Sequence, residues 1–313
     1  MSSFRILITD GLDENGQSIL RAAAEVVERT GITPEELLES IVDFAALIVR
    51  GRTRVTRAAI EAGRTLRVIG RAGVGVDNID LEAARQRQIA VVNAPTSTTS
   101  AVAELTFGLL LALAREIPRA DAAMKQGQWL KKELQGVELA GKTLGIIGFG
   151  RIGMELGKRA AAFGMNIVAY DPLIQEDAVR AGGAESVSLQ DLYAWSDFIS
   201  LHLPFDVQTR DLIGPLAIAQ MKEGVRLICA ARGGIMDEAA LLSALESGKV
   251  AGAALDVFET EPPGKTNLVM HPHVIATPHI GAQTAEAQAR AAEDIAHEVL
   301  AALQNQPLRW KVA

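Results

Sequence analysis

The sequence holds one cysteine, Cys229, among 313 residues, so no intramolecular disulfide can form and a reducing compartment suits the chain. That cysteine lies in the apolar run RLICAA, where core packing is its expected job. There is no basic cluster. Lys and Arg number 31 against 38 Asp and Glu, a net charge of −7, which argues against nucleic acid as a partner. No run is long enough for a membrane helix. The longest apolar stretch, LTFGLLLALA, covers only Leu105–Ala114 between Glu104 and Arg115, and a span needs about 20 residues. It reads instead as a helix buried between domains or subunits. The opening MSSFRILITDG lacks a signal-peptide layout, which makes the cytoplasm the expected address. Solenoid repeats and low-complexity tracts are absent too, and no metal site is expected.

What is present suits a globular protein of two ordinary domains: 49% of residues are hydrophobic and 22% charged. Apolar runs rich in β-formers alternate with helical stretches. In the first hundred residues RILITD, AALIVRG, LRVIGRAG and IAVVN read as strands, and ENGQSILRAAA, RAAIEAG and LEAARQRQ as helices. The hydroxyl-rich APTSTTS (94–100) then punctuates, and a long helical pattern runs from about Ala101 to Gln126. Strands resume at KTLGIIGFG and continue through NIVAYD, DFISLHLP, RLICAARGG, VAGAALDVF and HVIATPHI. An alanine-rich helix follows from Thr284 to Gln304. Strands apolar throughout and separated by helices predict parallel sheets covered on both faces, hence two α/β domains.

LGIIGFGRIG fits G-x-G-x-x-G at Gly148, Gly150 and Gly153. The pattern alone is weak; its context is not. An apolar strand precedes it, a helix follows, and the next strand, NIVAY, ends in Asp171. Gly148 permits the tight turn, Gly150 lets backbone approach a pyrophosphate, and Gly153 lets helix and strand pack closely. The helix N-terminus attracts the anion. Asp171 can accept from both adenosine ribose hydroxyls and would repel a 2′-phosphate. Pro172 and Leu173 supply no compensating cation, so the expected cofactor is NAD rather than NADP.

Three ionisable residues stand at predicted strand ends in the same half of the chain: Arg232 in AARGGIMDEAAL, Glu261 in LDVFETEPP and His279 in ATPHIGAQT. Each alone has an ordinary explanation, as a surface arginine, a solvated glutamate or a core histidine. On one nucleotide-binding sheet they suggest a site, because ligands bind beyond the carboxyl ends of such strands.

With these stretches, and with GRAGVGVDNIDLEAA and TPHIGAQTAEAQ, the chain resembles the D-isomer-specific 2-hydroxyacid dehydrogenases over nearly its whole length. Within that family the likeness is greatest to members oxidising 3-phospho-D-glycerate, the first step of phosphorylated serine synthesis. The resemblance implies an α/β fold of two Rossmann-like or flavodoxin-like domains with the active site in the interdomain cleft. Residues 1–98 plus 285–313 would form the substrate domain and 99–284 the NAD-binding domain. It implies catalytic roles for Arg232, Glu261 and His279. Arg232 would grip carboxylate and carbonyl, and His279 would exchange the proton. Glu261, if bonded to the other ring nitrogen, would favour imidazolium. It implies cofactor contacts at Gly148, Gly150, Arg151, Ile152, Gly153, Asp171, Leu203, Ala230, Asp256 and Gly281. Substrate contacts are implied at Arg50, Val74, Gly75, Asn78 and Lys131, and a homodimer or tetramer with helix Leu105–Ala114 at the contact.

Two positions depart from the family pattern. Val74 stands where threonine is frequent, losing a hydroxyl but keeping its backbone N–H. Lys131, in QWLKKE, stands where an arginine often reaches a neighbouring subunit's site, and a solvated surface lysine is an equal alternative. Other readings remain open: reduction of hydroxypyruvate, glyoxylate or another small 2-keto acid, or an NADH-sensing binding module resembling the corepressors of this fold. The chain stops soon after its last helix, so feedback through an appended regulatory domain is not expected.

Overall fold

The computed structural model describes residues 4–313. The chain forms two units, one built from residues up to Thr98 together with Ala282–Ala313, the other from Thr99–Gly281. The sequence places re-entry into the first unit at residue 285. The chain re-enters at Ala282, because Gly281 is tied to the second unit while Gln283 bonds Arg50 and Thr284 caps the terminal helix.

In the first unit, β1 (Phe4–Ile8), β2 (Ala24–Glu28), β3 (Ala46–Val49), β4 (Val68–Arg71) and β5 (Ala90–Asn93) form a sheet in the order β2-β1-β3-β4-β5. Every pairing is parallel, and the order is flavodoxin-like. Side chains alternate between faces. Leu7, Leu47 and Ile69 enter one apolar cluster, and Ile6, Ile8, Ile48 and Val68 enter another. The terminal helix Ala285–Leu303 covers the second face with Ile295, Ala296, Val299 and Leu303. Each larger aliphatic chain so buried contributes about 1.5–3 kcal/mol. Gly70 is what admits the helix: a Cβ there would lie 2.7 Å from Val299 Cγ2.

In the second unit, β6 (Thr143–Ile147), β7 (Asn166–Tyr170), β8 (Glu185–Ser186), β9 (Phe198–Leu201), β10 (Val225–Cys229), β11 (Val250–Leu255) and β12 (Val274–Ala276) form a sheet in the order β12-β11-β10-β9-β6-β7-β8. Again every pairing is parallel. This is the doubly wound dinucleotide-binding order extended by one strand. The connections reverse direction at β6 and β9, leaving a crevice at the carboxyl ends of those two strands. Alternation along β10 fills both faces, Leu227 and Cys229 on one and Ile228 on the other. Cys229 is buried as expected, and burial raises its thiol pKa to about 11.

Two local features differ from the sequence reading. The long helical pattern is two helices, Thr99–Arg115 and Ile117–Lys125, with Glu116 left-handed between them (φ +49°). Pro118 is the cause. A helix continued through it would drive its ring into the Ala114 carbonyl, and that carbonyl instead accepts from Val137 N–H at 2.8 Å. The stretch ENGQSILRAAA is helical only over Glu14–Arg21, and the edge strand β2 follows. In the apolar helix Thr99–Arg115, Phe107, Leu110 and Leu113 share a cluster with Leu156 and Ile146. Among the described residues no helix is long and apolar enough to cross a membrane.

Candidate active site

Apart from Lys131, the candidate residues of the second unit follow the carboxyl ends of its strands. Gly148–Gly153 follow β6, Asp171 follows β7, Leu203 follows β9, Ala230 and Arg232 follow β10, Asp256 and Glu261 follow β11, and His279 and Gly281 follow β12. Parallel pairing is what collects them. Every strand of the sheet ends at the same edge, so loops distant in sequence share one rim.

The glycine turn has a separate reason at each position. Gly148 has φ +91°, and a Cβ there would lie 2.6 Å from the His202 carbonyl oxygen and 3.0 Å from Leu203. At Gly153 a Cβ would lie 2.4 Å from the Gly148 carbonyl, so helix and strand could not approach. At Gly150 a Cβ would meet nothing within 4 Å, so the absent side chain leaves open space rather than relieving a contact. Gly150 is also the N-cap of helix Arg151–Ala162 and offers no side-chain cap, as is also the case for Glu116, Gln175 and Gly214 at theirs. An uncapped helix start beside vacant space fits a pyrophosphate. Arg151 is exposed and Ile152 half-buried on the first turn. Asp171 is aimed by two backbone donors: Oδ2 accepts from Phe149 N–H (2.8 Å) and Oδ1 from Leu173 N–H (2.9 Å). A carboxylate has about four acceptor sites, so capacity for ribose hydroxyls remains.

His202, beside the same turn, is held neutral. Its Nε2 pairs with Ser200 Oγ at 2.9 Å, its buried Nδ1 has no partner among the described residues, and burial lowers its pKa to about 4. The unfolded chain binds this proton below about 6.5 and the folded chain only below about 4. Stability therefore falls as pH drops through that interval, by on the order of 3 kcal/mol. Urea titrations of wild type and His202→Gln at pH 7 and pH 4.5 check this: the wild type should lose more stability than the variant. Equal losses would remove His202 as the cause.

The second cluster is built on buried Asp256, 1% exposed. Its Oδ1 accepts from Thr277 Oγ1 (2.6 Å) and Ile280 N–H (2.9 Å), and its Oδ2 from Gly281 N–H (2.8 Å). Three bonds from one carboxylate clamp the loop on which His279 stands. Within it His279 takes a left-handed backbone, φ +52°, which a non-glycine residue adopts only when its surroundings impose it. The ring is presented outward, half-exposed, rather than packed into the core. Its Nδ1 lies 2.8 Å from Glu261 Oε2, while Glu261 Oε1 accepts from Phe258 N–H at 3.2 Å. An ionised carboxylate only accepts, so Nδ1 carries the hydrogen and Nε2 is left as the proton-exchanging atom. Arg232 donates to the Ala231 carbonyl at 2.7 Å, and the Cys229 thiol donates to the Arg232 carbonyl at 3.6 Å.

These arrangements can be compared with known proteins. Residues 107–281 match the family described as D-isomer specific 2-hydroxyacid dehydrogenase, NAD binding domain. The chain belongs to the D-isomer specific 2-hydroxyacid dehydrogenases. A D-3-phosphoglycerate dehydrogenase of Methanocaldococcus jannaschii is 50% identical over 96% of this chain and 58% of its own length. The chain thus spans a little over half the length of the curated relatives it matches, 58% here and 55% for the human D-3-phosphoglycerate dehydrogenase. Two solved structures match end to end. A glyoxylate reductase from Paecilomyes thermophila has TM-score 0.91 at 33% identity, covering 100% of this chain and 99% of its own. A D-lactate dehydrogenase from Aquifex aeolicus, complexed with NAD and lactic acid, has TM-score 0.85 at 30% identity, covering 96% of each.

As a member of this family the chain carries further candidates, most of them in its first unit. Val74 and Gly75 follow β4, and among the described residues nothing accepts from either N–H. Two adjacent free donors suit a carboxylate. Val74 is pinned through its carbonyl, which accepts from Asn93 Nδ2 at 2.6 Å. Asn78 has a different occupation: its amide donates to the carbonyls of Arg50 (3.0 Å) and Thr53 (2.7 Å). Asp10, which sequence reasoning missed, holds the same loop from the other side, accepting from the N–H groups of Arg50 (2.8 Å) and Thr53 (3.0 Å). Burial works to raise the Asp10 pKa, but bonds from Thr53 and Arg50 and the charge of Arg52 outweigh it and hold it below the usual carboxylate value. Lys131 belongs to the second unit, exposed on a segment without helix or strand.

Proposed function

We propose that this chain carries an NAD-dependent dehydrogenase acting on 3-phospho-D-glycerate, forming 3-phosphohydroxypyruvate. The observation that carries the catalytic reading is the 2.8 Å bond between His279 Nδ1 and Glu261, at the carboxyl edge of a dinucleotide-binding sheet. That bond fixes the tautomer and leaves Nε2 to exchange a proton with the substrate oxygen. When bound, NADH supplies a hydride for the keto carbon, and NAD accepts one in the reverse direction. Arg232 bridges the carboxylate and carbonyl of the 2-keto acid, orienting it and drawing electron density toward the oxygen. The N–H groups of Val74 and Gly75 hold the carboxylate. The glycine turn, Arg151, Ile152, Leu203, Ala230 and Asp171 hold the cofactor. Asp256 and Gly281 serve it by fixing the loop of His279, and Asn78 serves the substrate by fixing Arg50.

The phosphate reading rests on the 50% identity to a D-3-phosphoglycerate dehydrogenase and on two available cations, Arg50 and Lys131. We further infer a homo-oligomer, dimer or tetramer, and a cytoplasmic address. The glyoxylate reductase likeness supports a second reading, a reductase of small unphosphorylated 2-keto acids. Initial rates of NADH oxidation with phosphohydroxypyruvate, hydroxypyruvate, glyoxylate and pyruvate separate the two. The highest kcat/KM is expected with phosphohydroxypyruvate, and a preference for glyoxylate would reverse the assignment. Turnover of none of them would favour a binding module.

Asp171→Ala should weaken NAD roughly 10- to 100-fold, since hydrogen bonds to a charged group are worth about 1.5–3 kcal/mol. It should also narrow the preference over NADP, because a carboxylate that repels the 2′-phosphate is gone. Parallel NAD and NADP titrations check this, and an unaltered preference would remove Asp171 from the ribose.

A further inference from the structure

We propose that Glu238 is a positioning residue, tying the loop that carries Glu261 to the loop that carries Arg232 so that the Glu261 carboxylate is held on His279. The proposal rests on the catalytic reading above. Glu238 opens helix Glu238–Glu246, yet that helix is already capped, because Asp237 Oδ1 accepts from Ala239 and Ala240 N–H at 3.0 Å each. The Glu238 side chain turns elsewhere. Its Oε1 accepts from the Glu259 N–H at 2.7 Å, two residues before Glu261.

The two loops already touch at this point. A Cβ on Gly233, the residue after Arg232, would lie 1.9 Å from the Phe258 carbonyl oxygen and 2.7 Å from Glu259 N. Backbone rests on backbone there with no room for a side chain, and Glu238 fastens the contact. Phe258, the other half of it, donates its N–H to Glu261 Oε1 at 3.2 Å, and the second oxygen of that carboxylate meets His279. Glu238, Glu259, Phe258, Glu261 and His279 thus form one connected series. Arg232 and Glu238 also line a common small cavity beneath the loop, with Cys229 and Leu241 in its wall. The Glu238 bond is partly open to water, where such a bond adds little to stability. Its effect is on geometry, and a displacement near 1 Å can cost about 10²-fold in rate.

Two full-length variants separate reach from charge. Glu238→Asp keeps a negative charge at the helix start but shortens the arm by about 1.5 Å, one carbon–carbon bond, so the bond to Glu259 is lost. Glu238→Gln keeps the arm and an accepting oxygen without the charge. The readouts are kcat and KM for NADH-dependent reduction, the NADH Kd, and the ¹⁵N shifts of the neutral His279 ring, assigned by their loss in His279→Gln. For Glu238→Asp we expect kcat to fall about 10-fold, the NADH Kd to stay put, and the ring to leave the Nδ1–H tautomer that Glu261 imposes. Glu238→Gln should retain most of the rate and the wild-type tautomer. Wild-type rate and tautomer in Glu238→Asp would overturn the proposal, and so would equal damage in both variants, which would make the charge the cause. Should His279→Gln turn over normally, the catalytic reading fails, while the tautomer comparison still decides whether Glu238 places Glu261 on the ring.

Discussion

His279→Gln should lose about 10²- to 10⁴-fold in kcat, the usual worth of a positioned general acid or base, while still folding and binding NADH. The structure gives the reason the fold survives. The half-exposed ring makes its one bond to Glu261, and glutamine can replace that donor. What glutamine cannot do is give or take a proton. The sign of the pH dependence follows from the direction of reaction. Reduction consumes a proton held on the ring, so its rate should fall as pH rises. Oxidation needs the ring neutral, so its rate should rise with pH. Both limbs should flatten in the variant. Stopped-flow rates in both directions across pH check this, and a variant with normal turnover and an intact pH dependence would mean that the proton comes from another group.

Asp256→Ala should cost nearly as much by a different route, about 10²-fold in kcat, from a carboxylate that touches no proton of the reaction. Removing it strands the Thr277 hydroxyl and the N–H groups of Ile280 and Gly281 at a site that is 1% exposed. Each stranded donor costs about 1–3 kcal/mol. The left-handed backbone of His279 then loses the contacts that impose it. Asp256→Asn is the informative companion, since its carbonyl oxygen can keep part of the set while its amide opposes a facing N–H, and an intermediate loss is expected. Denaturant midpoints measured beside kcat check the pair. A stable, fully active Asp256→Ala would show that the loop is held by something else.

These two aspartate and histidine roles mark how far the sequence could be read. The glycine turn and Asp171 were legible because their logic is local: strand, turn, helix and acid occur in order along the chain. The lattice of alternating strands was legible for the same reason, since a buried parallel strand is apolar at every position. The bond between His279 and Glu261 was not, because parallel pairing of β11 with β12, rather than spacing, brings the loops together. Asp10 and Glu238 carried no signal, since each acts on a backbone N–H well away in sequence, 40 residues off for Asp10 and 21 for Glu238. Asn78 was read as a substrate contact because it follows the loop of Val74 and Gly75. Only the fold reveals that its amide is engaged by Arg50 and Thr53. The strand β2 was missed because AEVVE is an edge strand with no buried residue and with two glutamates, which resembles a helix continuation. The helix Pro34–Ser40 did carry a signal that went unread, the capping box of Thr33 and Glu36.

The return of the chain to its first unit has a consequence for biosynthesis. As residues emerge from the ribosome, β1 to β5 are available early, but the helix that seals one side of their sheet, Ala285–Leu303, is made only after the whole second unit. Until then Ile6, Ile8, Ile48 and Val68 have only part of their cover, from Leu20 of helix Glu14–Arg21, and the remaining apolar surface is of the kind that invites association between nascent chains. The second unit is contiguous and has every strand it needs once β12 is out. Of the two units, the one begun first is therefore the one completed second, and translation halted before residue 285 leaves the second unit whole and the first without its terminal helix.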